Sequence, residues 1–67
     1  MNSQLLKSYI MRYDGTQEKL AKAMGISLSR LNAKINETDA EFNQGEIRFI
    51  KTRYNLSDEE VSNVFFN

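Results

Sequence analysis

Apolar side chains recur along this chain at intervals of three and four, and nowhere do they alternate with polar ones over the length of a strand. Proline is absent and the three glycines stand singly, so the pattern predicts helices throughout. Leu5, Leu6, Tyr9, Ile10 and Tyr13 fall on one side of a first helix from about Ser3 to Tyr13, with Lys7, Ser8 and Arg12 outside it or at its margin. Asp14-Gly15 supplies a turn, and Thr16 offers a side-chain oxygen to cap a second helix, Gln17 to Met24. Gly25 suits the left-handed position that stops a helix, with Ile26 placed to fold back on the last turn. Ser27 caps a third helix, Leu28 to Ile35, whose stripe is Leu28, Leu31 and Ile35 and whose outer face is Ser29, Arg30, Asn32 and Ala33.

The stretch from Asn36 to Glu41 is polar and acidic, a loop by composition. Phe42 then precedes Asn43-Gln44-Gly45-Glu46, a capping residue followed three later by Glu, which opens a fourth helix running to about Tyr54 with Ile47, Ile50 and Tyr54 inward. Asn55-Leu56 breaks it. Ser57-Asp58-Glu59-Glu60 is a second capping box, and Val61, Val64 and Phe65 line a short fifth helix. No internal repeat or low-complexity segment interrupts this order.

Sixty-seven residues are about half of a common domain, so residues 1–67 are expected to form a single unit with one small core. Cysteine and histidine are both absent, which removes disulfides and the usual zinc and haem ligands. There is no phosphate-cradling glycine loop, and Asp58-Glu59-Glu60 is fully explained as a helix start; neither an enzyme, a cofactor, a metal nor a small-molecule ligand is expected. No apolar run approaches the roughly 18 residues of a membrane span, and Met1-Asn2-Ser3-Gln4 has no secretory signal character, so the expected address is cytoplasmic with no membrane partner.

Nine basic and nine acidic residues give a net charge of zero, but they are not mixed. Residues 1–36 hold six Lys and Arg against Asp14 and Glu18, a net +4, and residues 37–67 hold three against seven, a net −4. Such asymmetry implies one face made for a polyanion. The basic half contains Leu20-Ala21, then Gly25-Ile26-Ser27, then Leu31: a small residue where two helices cross, a glycine at the turn, and apolar residues that fix the crossing angle. This is helix-turn-helix spacing.

With TQEKLAKAMGIS followed by KIN, then F before GEI, and a terminal LSDEEVSNVFF, nearly the whole chain resembles the Cro and repressor class of phage helix-turn-helix regulators, and short phage and prophage regulators in particular. The resemblance implies a compact five-helix domain like that of lambda repressor. Its third helix would enter the major groove with Leu28, Ser29, Asn32 and Ala33 facing base edges, while the second crosses the backbone. One departure is visible: in many members the third helix has its last apolar residue where Lys34 stands, and here Ile35 takes that role.

The residues themselves point to matching chemistry. Gln17 and Ser27, each opening a helix, and Lys19, Arg30, Lys34 and Asn36 are candidate phosphate contacts. Asn32 can bond adenine, Ser29 can donate or accept, and Leu28 and Ala33 can touch thymine methyl groups. Leu28 shares the stripe of Leu31 and Ile35, so its position fits core and groove equally. Phe49 and Phe66 fall off their helices' main stripes, as either a second buried side or a partner surface. Pairing across a palindrome with half-sites about 34 Å apart would make the chain a homodimer on double-stranded operator DNA. The expected function is a transcription regulator that represses by occupying its operator. The alternative is a protein-interaction module keeping the same fold, such as an anti-repressor or regulator-binding protein.

Overall fold

Five α-helices and their connections account for the whole chain in the computed structural model, which describes residues 1–67. They are α1 (Ser3–Tyr13), α2 (Gln17–Met24), α3 (Leu28–Ile35), α4 (Gln44–Tyr54) and α5 (Asp58–Phe65), and there is no strand. Each helix begins on a side chain that satisfies an otherwise free backbone N–H: Asn2, Thr16, Ser27, Asn43 and Ser57 accept from the residue three positions on. In α4 and α5 the contact is reciprocal, because Glu46 and Glu60 reach back to the backbone N–H of Asn43 and Ser57.

The apolar faces meet in one core formed by Leu6, Ile10, Leu20, Ala21, Leu31, Ile35, Ile50, Tyr54, Leu56, Val61 and Val64. α2 packs most extensively against α3, α1 packs against α2, α3 and α5, and α4 packs against α5. The chain's radius of gyration is 10.7 Å, close to the roughly 11 Å expected of a packed chain this long. Tyr13, expected inward on α1, is 47% exposed and instead stacks its ring on Tyr54 with centroids 5.0 Å apart. Its position in the last turn takes it past the edge of the core. Leu56, read only as part of a break, is buried. Phe42 meets Phe65 edge-on at 5.5 Å, closing the core beside the acidic loop.

No helix is long and apolar enough to cross a membrane.

Candidate nucleic-acid interface

The pair α2 and α3 is assembled by short-range chemistry. Thr16 Oγ1 accepts the Lys19 N–H at 3.2 Å to start α2. Gly25 stops it at φ +75°, where the Gly25 N–H reaches the Lys22 carbonyl at 3.1 Å and the Ile26 N–H reaches that of Ala21 at 3.0 Å. These two bonds satisfy carbonyls that the helix end leaves free, and the half-buried Ile26 packs against the core. Ser27 Oγ then accepts the Arg30 N–H at 3.1 Å and starts α3. Ala21 is buried in the core, and α2 packs against α3 more extensively than any other pair of helices.

α3 turns Leu28, Ser29, Arg30 and Asn32 outward, with Ala33 half-buried at the edge. Leu28 is 39% exposed and stands outside the core, which removes one of the two positions its spacing allowed. Ser27 and Asn36 at the helix ends are exposed, Lys19 on α2 is exposed, and Gln17 is half-buried in the first turn of α2. No acidic residue lies in α3, so the partial positive charge of its N-terminus is not offset by its own side chains. This surface offers an amide, hydroxyls, a guanidinium, free helical N–H groups and an apolar side chain on one rigid element.

Lys34 corrects an expectation. Placed at the outset among the candidate phosphate contacts, it is only 3% exposed. Its ammonium donates to the Glu41 carbonyl at 3.0 Å and to Glu46 Oε1 at 2.9 Å, and lies 5.9 Å from the centre of the Phe42 ring. The cause is geometric: Leu31, Lys34 and Ile35, at spacing i, i+3 and i+4, all face inward, so the stem of Lys34 runs along the core side of α3. A cation three residues after a core leucine, with a capping-box Glu twelve residues further on, was the available signal. Burial opposes ionisation of Glu46, but the Asn43 N–H and the Lys34 ammonium outweigh it and hold the carboxyl below its ordinary range.

A second buried charge was not foreseen. Asp14, read as a turn residue, is 9% exposed and ends α1 against the last turn of α4. It accepts from Arg53 Nη2 at 2.6 Å and Nε at 3.1 Å, and from the Tyr54 hydroxyl. The hydrogen bonds from Arg53 and Tyr54 keep its carboxyl below the usual range against the opposing effect of burial. The Tyr54 hydroxyl is pushed well above the ordinary phenol value by burial and by this carboxylate.

Phe49 and Phe66 do not form one surface. Phe49 is half-buried in a hollow shared with Ala23 and Met24 of α2, whereas Phe66 is 70% exposed and borders a groove along α4 with Ile47, Arg48 and Lys51. No group of three or more acidic side chains converges in a way that would hold a metal ion. Comparison of the chain with known family models, curated proteins and solved structures found no match.

Proposed function

We propose that this chain is a helix-turn-helix regulator that binds double-stranded DNA by sequence, with α3 in the major groove and α2 across the phosphate backbone. One observation carries the reading: an acid-free helix turns Leu28, Ser29, Arg30 and Asn32 outward from a firmly stopped turn, with Lys19 exposed on the preceding helix. Asn32 and Ser29 bond base edges, Leu28 and Ala33 meet thymine methyl groups, and Arg30, Lys19 and the N-termini at Gln17 and Ser27 hold phosphates. Asn36 adds a polar contact at the far end of α3. Two copies read a palindromic operator, and occupancy of that operator excludes polymerase. The resemblance of the sequence to phage regulators supports the same reading.

Selection of binding sequences from a random duplex library by the purified chain tests it. Enrichment of a palindrome with half-sites about one helical turn apart is the expected result. Four cations, Lys19 and Arg30 from each of two copies, set the slope of log affinity against log salt at about −3.6. No enrichment, with weak retention even at low salt, would discard the reading. The exposed Phe66 beside the α4 groove and the zero net charge favour the second reading, a module that binds another protein, whose affinity would be nearly indifferent to salt.

A further inference from the structure

The two ends of α3 are held very differently. Its N-terminal turn, with Leu28, Ser29 and Arg30, stands in solvent on the Ser27 cap alone. Its C-terminal turn is fastened from two sides: Ser3 Oγ of α1 donates to the Ile35 carbonyl at 2.6 Å, and the buried Lys34 reaches the Glu41 carbonyl and Glu46. Glu46 Oε1 takes the Lys34 ammonium at 2.9 Å and the Asn43 N–H at 3.0 Å, so the same oxygen that starts α4 also receives α3. Between them the chain passes through Glu37 and Asp39, both left-handed at φ +55°, a conformation that side chains disfavour and that surrounding contacts must hold.

We infer that Lys34 and Glu46 are positioning residues for base reading: they clamp the C-terminal turn of α3 to the start of α4 and so fix the angle at which Asn32 and Ala33 are presented. This rests on the DNA-binding reading above. An ammonium buried on the core side of α3, with two of its three donors on a carbonyl and a carboxylate, is out of reach of a phosphate, so its influence on DNA passes through the pose of the helix. Electrostatic attraction to the backbone would be unaffected by its loss, while the register of α3 against base edges would not. A buried ion pair is also a weak source of stability, since apolar side chains of similar volume replace one at little cost, which is compatible with a role in geometry.

The test is the double variant Lys34→Met with Glu46→Gln. Methionine fills the path of the lysine stem, and the glutamine carbonyl still accepts the Asn43 N–H, so neither an orphan charge nor a lost cap confuses the outcome. Lys34→Leu with Glu46→Gln, equally free of an orphan charge, serves if the first double variant does not fold. Affinity is measured for the selected duplex and for a scrambled one across salt, with Lys19→Ala as the phosphate control. Affinity for the selected duplex should fall about tenfold, the size of one lost base contact, while scrambled affinity and salt slope stay as in the parent. Lys19→Ala should instead lower both affinities together and flatten the slope by about 1.8 for two copies. Equal affinities for variant and parent would overturn the inference, as would a parallel fall with a flatter slope, which would make Lys34 a phosphate contact.

Amide exchange of the free protein separates the clamp from its use. The Asn36 and Thr38 N–H groups bond the Asn32 and Ala33 carbonyls at 2.9 Å, and both should exchange faster in the variant. Unchanged exchange overturns the clamp whatever DNA does. Faster exchange in a chain whose parent prefers no sequence would leave the clamp standing and overturn its role in reading, together with the DNA-binding proposal.

Discussion

Two parts of this molecule share the same turn and differ in charge. α2 ends at Gly25, Ile26 sends its N–H back to the Ala21 carbonyl at 3.0 Å, and Ser27 caps an eight-residue helix. α4 ends at Asn55, Leu56 sends its N–H back to the Lys51 carbonyl at 2.9 Å, and Ser57 caps another eight-residue helix. Gly25 and Asn55 are both left-handed, at φ +75° and +53°. The helices that follow open on Leu28-Ser29-Arg30 in one case and Asp58-Glu59-Glu60 in the other. The acids of α5 neutralise the positive end of their own helix, whereas α3 leaves its positive end for something else. The comparison shows that turn geometry alone does not mark a polyanion-binding surface, since the chain has the geometry twice and an acid-free helix start at only one of the two turns.

The first prediction transfers that difference. Ser29→Glu with Arg30→Glu gives α3 an opening like that of α5; DNA affinity should fall by more than about hundredfold while circular dichroism stays that of the parent, because acids suit a helix N-terminus. Retained DNA binding would remove α3 from the interface.

The two parts are joined by two ion pairs, each with one buried member. Asp14–Arg53 and Lys34–Glu46 each run from the basic half of the chain to the acidic half, in opposite senses, so the pairing takes one cation and one anion from each half and leaves +4 and −4 among the other charges. Asp14→Ala strands the Tyr54 hydroxyl and the guanidinium of the partly exposed Arg53; it should cost about 3 kcal/mol in urea unfolding. The two turns should then separate by residue type. Gly25 has open space where a side chain would go, so the cost of Gly25→Ala is conformational, about 1–2 kcal/mol of stability. Asn55→Gly relieves the left-handed backbone but frees the unfolded chain, and should change the thermal midpoint by the equivalent of about 0.5 kcal/mol or less.

Acid probes both pairs together. The carboxyls of Asp14 and Glu46 are held below their ordinary values of 3.8 and 4.5. Their contribution is therefore present in full above those values and is lost as pH falls below them through the lowered ones. A pH series of unfolding midpoints checks this: the parent should lose stability on that descent, and Asp14→Ala should lose less.

The helix boundaries were legible because their causes are local. Thr16, Ser27, Asn43 and Ser57, each capping the N–H three residues on, and Gly25 mark five of the ten helix ends with little reference to the rest of the fold. The spacing of Leu20, Ala21, Gly25 and Leu31 likewise placed α2 and α3 and most of the outer face of α3. Charge partners were not legible: Arg53 lies 39 residues from Asp14, and nothing nearby distinguishes that aspartate from an ordinary turn residue. Lys34 was misplaced because a basic residue late in an amphipathic helix looks outward by type, while its spacing from Leu31 turns it inward. Phe49 and Phe66 share an off-stripe position, yet the hollow beside α2 shelters only the first.

The backbone N–H of Asn2 donates to the carbonyl of Val64 at 2.7 Å, so the path of the chain nearly closes on itself. A few glycines joining residue 67 to residue 1, with a cut in the exposed loop at Thr38-Asp39, would give a circular permutant that begins with α4 and α5 and ends with α3. Such a molecule should refold to the same core. It would also present the end of α3 as a free terminus, held in place by Ser3, Lys34 and Glu46 rather than by the loop that follows it.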